Sequence, residues 1–116
     1  MIYRDDLNFL KEDVLGDYDT RQVEFLKCAG PASACAPAFG STRLGPPGDS
    51  TWLRIARHTV DGQELYTAYS SVDGANWVRG GTWRQSPGAG EKIGLAASTG
   101  AGFTADVDYV HVYSLP

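Results

Sequence analysis

"TWLRIARHTVDGQELYTAYSSVDGANW", residues 51–77, decides the fold class of this chain. Two runs, Thr51–His58 and Gln63–Ser71, are rich in β-branched and aromatic residues. Between them Asp61-Gly62 supplies the positive φ that a tight hairpin turn requires. In the first run Leu53 and Ile55 share one face, while Trp52, Arg54, Ala56 and His58 share the other. This pattern predicts an antiparallel hairpin. A second turn follows at Asp73-Gly74, where Asp73 can accept backbone N–H bonds, Gly74 supplies positive φ and Trp77 can fold its ring back over the hairpin. Ser71, Asp73, Gly74 and Trp77 therefore read as a structural turn.

Working outward, further strands are expected at Asn8–Val14, Tyr18–Cys28, Trp77–Trp83, Lys92–Ala97 and Ala105–Tyr113. Turn signals separate them at Gly16-Asp17 and at the run from Gly45 to Asp49. "PGAGEKIG" and "STGAGFTA" read as further loops, and Ala29 to Ser41 is an Ala/Gly/Pro/Ser stretch. In the last strand Val107, Tyr109, His111 and Tyr113 alternate with Asp106, Asp108, Val110 and Val112, so both faces carry apolar groups, as suits a central strand. Leu7–Leu15 also admits a helical-turn reading. Short strands joined by turns indicate an all-β antiparallel β-sandwich. With 116 residues, 1–116 is one module with enough chain for a core.

A formal charge of −4 with only ten Lys and Arg residues argues against a nucleic-acid partner. No run approaches the roughly 18 apolar residues of a membrane span. The start "MIYRDDLNFLKEDV" lacks the order of a signal peptide, so an export address would have to lie upstream. Cys28 and Cys35 flank a small-residue loop; a disulfide is the better reading, since two thiols cannot complete a four-ligand metal site. The alternative is two reduced, buried cysteines. A bridge favours an oxidising, extracellular setting.

"STWLRIARHTVDGQELYTAYSSVDGANWVRGG" followed by "KIGLAASTGAGFTADVDYVHVYS" resembles the concanavalin A-like jelly-roll modules of bacterial secreted glycoside hydrolases, such as the C-terminal module of family 43 xylosidases and related uncharacterised modules. The resemblance lies in Trp52–Ile55, Tyr69 to Trp77, Ile93–Ala96 and Asp108–Val112, with "LGDYDTRQVEF" similar to their G-D-Y/F strand. Where those modules have an A-G-L-x-V/I strand, this chain has "CAGPASACAPAFGSTRLG", so the resemblance implies a jelly roll that is trimmed or completed by a partner. It implies an extracellular, non-catalytic accessory module that tethers polysaccharide. The alternative is a structural or assembly sandwich that packs on a catalytic domain or on its own copy without binding sugar.

Sugar-binding modules use aromatic platforms bordered by groups that bond hydroxyls. Trp83, Arg54 and Tyr66 are the candidate ligand contacts on that ground. Catalysis is not expected: the paired acids of concanavalin A-like glucanases are absent, and Glu24 and Asp106 are the carboxylates left for a small-hydrolase reading. His58 and His111 have no nucleophile in a strained turn beside them. No cofactor is expected. For "ADVDY" the resemblance points to an Asp that ties the last strand to backbone or to a structural Ca²⁺, for which one or two carboxylates are a thin shell.

Overall fold

A computed structural model describes residues 1–30, 35, 40–86, 88–97, 102 and 104–114, with the backbone alone described for Asp17 and 40–43. The molecule is an antiparallel β-sandwich. Its strands are β1 (Ile2–Asp5), β2 (Asn8–Asp17), β3 (Thr20–Ala29), β4 (Gly40–Arg43), β5 (Trp52–Val60), β6 (Gln63–Ser71), β7 (Val78–Arg84) and β8 (Lys92–Ile93). One sheet has the order β4-β3-β2-β1-β8, the other β5-β6-β7. The expected loops at "AGPASA" and "STGAGFTA" fall mostly outside the described residues.

Two hairpins carry most of the pairing. β5 and β6 pair from Trp52–Ser71 to Val60–Gln63, leaving only Asp61 and Gly62 in the turn, at φ 51° and 74°. Positive φ at both central residues is the geometry that matches the twist of the flanking strands. β2 and β3 pair along their whole length, from Asn8–Ala29 to Asp17–Thr20. Their turn is Tyr18-Asp19, at φ 50° and 59°. The turn expected at Gly16-Asp17 therefore lies two residues later, and both of those residues extend β2. A helical reading of 7–15 gives way to the same strand.

Alternation places Leu10, Glu12 and Val14 of β2, with Val23, Phe25 and Lys27 opposite, on the face turned towards the second sheet. That sheet answers with Ile55, Tyr66, Ala68 and Trp83. Leu10, Phe25, Tyr66 and Ala68 form the buried cluster, against which Ile2, Leu44, Ile55 and Trp83 pack. β3 and β6 are buried on both faces: Glu24, Leu26 and Cys28 are buried as well as Val23 and Phe25, and Thr67 and Ser71 as well as Tyr66, Ala68 and Ser70. Gly80 belongs to this packing: a Cβ there would lie 2.6 Å from Leu44 Cγ, so the close approach of β7 to Leu44 needs glycine.

Cys28 and Cys35 form a disulfide. In the chain-entropy view a closed loop this short stabilises the fold by about 2.5 kcal/mol. No helix among the described residues is long and apolar enough to cross a membrane.

The C-terminal expectation fails. Residues 104–114 run without a strand partner and are exposed, and the strand expected at Lys92–Ala97 stops at Ile93. Alternation with apolar groups on both faces shows that a segment can be a buried strand. It does not supply the neighbouring backbone, and none of the described residues offers one.

Candidate functional site

The turn after β6 is organised by one carboxylate and one hydroxyl. Ser71 donates its hydroxyl to Asp73 Oδ1 (2.9 Å), while the backbone N–H of Gly74 donates to Ser71 Oγ (2.9 Å). Asp73 Oδ1 also accepts from the N–H groups of Ala75 and Asn76, each at 2.8 Å, and Oδ2 accepts from Asn76 Nδ2 at 2.8 Å. These donors, the Asn76 amide first, hold the Asp73 carboxyl well below the usual carboxylate range. Gly74 has φ 73°, and a Cβ on it would lie 3.1 Å from Trp52 Cε2. Trp52 is thus the ring that covers this turn.

Trp77 lies under Arg54, whose guanidinium carbon is 3.7 Å from the ring centroid. Register explains the contact. Arg54 of β5 is opposite Tyr69 of β6, and Tyr69 is opposite Arg79 of β7, so the three residues cross the sheet on one face. Between Thr67 and Tyr69 the β6–β7 register shifts, which lets Gly80 and Gly81 of β7 span Ala68 and keeps Arg79 on the outer side. Arg54 and Arg79 are exposed, and Tyr69, Trp52 and Trp77 are half-buried. A guanidinium held on an indole, flanked by a half-buried phenol and a second guanidinium, presents fixed hydrogen-bond donors beside aromatic rings.

The residues anticipated as ligand contacts do not share that face. Tyr66 is opposite Arg57 on one side and Trp83 on the other, so both aromatics point between the sheets. Tyr66 is fully buried, and Trp83 donates its Nε1–H to the carbonyl of Phe25 at 3.2 Å. Lys27 sits 4.9 Å from the Trp83 centroid. Of the three only Arg54 lies on the outer face, and Trp77, assigned to the turn, lies there with it. Parity across a two-residue turn could have shown this: counting back from the Val60–Gln63 pair sets Tyr66 with Leu53 and Ile55, and Tyr69 with Arg54.

The carboxylates are dispersed. Glu24 is buried in mid β3, opposite Asp13 and Arg43, whereas Asp106 belongs to the exposed C-terminal segment. Glu12 is buried on the inward face, and neither carboxyl oxygen makes a well-formed hydrogen bond. Burial pushes its carboxyl up to about 9; the Met1 ammonium and the backbone of Arg54 pull the other way too weakly to offset this. Among the described residues no group of His, Cys, Asp and Glu side chains could hold a metal ion. No protein-family model, curated protein or solved structure matches this chain.

Proposed function

We propose that the outer face of β5–β6–β7 binds carbohydrate, and that the chain is a non-catalytic, extracellular module that tethers polysaccharide near a glycoside hydrolase. The observation that carries this reading is the Arg54–Trp77 stack beside Tyr69 and Arg79 on a sheet face. Sugar rings present apolar C–H faces edged by hydroxyls, and this surface offers guanidinium donors for the edges beside the partly exposed rings of Trp52, Tyr69 and Trp77 for the faces. The stack also holds Arg54 in place before a ligand arrives, which lowers the ordering cost of binding. The disulfide supports the extracellular setting, because such bridges persist where the medium is oxidising.

Titration with xylan, arabinan, β-glucan and their oligosaccharides, followed by tryptophan emission and by retardation in affinity gels, tests the reading. Binding to at least one glycan is expected. Trp77→Ala and Arg54→Ala should each weaken it about tenfold or more. If no glycan shifts the emission or retards the protein, the assignment falls.

A further inference from the structure

The outer face of β5–β6–β7 carries charge of one sign. Arg54–Tyr69–Arg79 is one row across the sheet, and His58–Leu65–Arg84 is a second row nearer the Asp61-Gly62 turn. All four basic side chains are exposed. The three strands contain a single acidic residue, Glu64. It shares the parity of Tyr66 and so belongs to the opposite face, where it pairs with Arg57 at 3.5 Å. Asp73, in the turn beyond β6, spends its carboxylate on Ser71, Ala75 and Asn76. Among the described residues, Arg54, Arg79 and Arg84 have no carboxylate partner. A chain of formal charge −4 thus keeps three guanidiniums unpaired on one sheet face.

We propose that the glycan bound on this face is a polyuronate, a polysaccharide whose sugar units carry carboxylates, with Arg54, Arg79 and Arg84 as the carboxylate contacts. The inference rests on the carbohydrate reading and narrows its ligand. A guanidinium meets a carboxylate through two parallel N–H bonds, a match that the hydroxyls of a neutral sugar cannot reproduce. Spacing favours a polymer over a small anion. The backbones of Arg54 and Arg79 are two strand spacings apart, about 10 Å, and the two rows lie about 13 Å apart along the strands. Charge is spread over the face, as a ligand with repeated carboxylates requires. Like charges on one surface repel, and a polyanion laid across them removes that repulsion.

Affinity electrophoresis and calorimetry with polygalacturonate and alginate test it, each beside its methyl ester, which keeps the polymer backbone and removes the charge. At least one acid form should bind about tenfold more tightly than its ester. Raising the salt from about 50 to about 200 mM should weaken that binding about tenfold. Arg84→Glu lies outside the Arg54–Trp77 stack; it should lower affinity for the acid form about tenfold and leave affinity for the ester unchanged. Lys92→Glu makes the same charge change on β8 of the other sheet and should alter binding by no more than about twofold. Acid and ester forms bound equally would overturn the inference and leave the carbohydrate reading standing. Dextran sulfate or single-stranded DNA held as tightly as the polyuronate also overturns it, since charge alone would then suffice. So does an Arg84→Glu chain that binds like the wild type, or a Lys92→Glu chain that loses as much as Arg84→Glu. Retention of none of these polymers, nor of any neutral glycan, removes the carbohydrate reading as well.

Discussion

The β5–β6–β7 meander and the segment 104–114 are built from the same kinds of residue, and only one of them is sheet. Each alternates apolar and polar groups and each is rich in Val, Tyr and other strand formers. The difference is the distance to a partner along the chain. β6 meets β5 across Asp61-Gly62 and meets β7 across the Ser71–Asp73 turn, so its neighbours arrive with it. The C-terminal segment pairs with no strand among the described residues. Composition and alternation therefore specify strand character, while turn chemistry specifies pairing.

If the meander holds the sandwich together and the C-terminal segment does not, substitutions in the two regions should differ by an order of magnitude. Trp83→Ala removes a ring from between the sheets together with its bond to the Phe25 carbonyl. It should cost about 3–5 kcal/mol in urea denaturation. A loss below about 1 kcal/mol would mean that the sheets are not joined there.

Glu12 gives the next largest effect, and it depends on pH. Its folded-state value of about 9 lies above the ordinary carboxyl value of 4.5, so between these the native chain keeps a proton that the unfolded chain has released. Stability is then fully present below the unfolded value and falls as pH rises across the window. A loss on the order of a few kcal/mol is expected between about pH 5 and 8. Glu12→Gln should flatten the profile and be the more stable protein at the alkaline end. Parallel profiles for the two proteins would contradict the burial of an uncompensated carboxyl.

Val110→Ser marks the small end of the comparison. It should change stability by no more than about 0.5 kcal/mol, because the side chain is 53 % exposed and lies outside both sheets. A larger loss would show that this valine is buried in solution.

The central hairpin was legible because Asp61-Gly62 announces both its turn and its register. β3 was legible as a strand from its run of Val, Phe and Leu, but its burial on both faces was not, because Glu24 and Lys27 interrupt the apolar run. Ile2–Asp5 and Gly40–Arg43 are too short for alternation to register, and the latter follows a stretch of small residues that reads as loop. The disulfide could be anticipated from two cysteines flanking a small-residue loop. The outer face was half legible. Alternation puts Arg54 on it, but the stack on Trp77 depends on a contact across β6, and telling Tyr69 from Tyr66 takes face parity carried through the two-residue turn.

Both long hairpins close over loops of only two residues, whereas the Trp83–Phe25 bond joins positions 58 apart. Closing a long loop costs more conformational entropy than closing a turn, and that cost must be met before any contact between the sheets rewards it. The hairpins are therefore expected to form early, and the contacts between the sheets to be completed late, after the rate-limiting step. Trp83→Ala should express most of its stability loss as faster unfolding, with little change in the folding rate. The same ring that holds the sheets together then governs how long a molecule stays folded once it has folded.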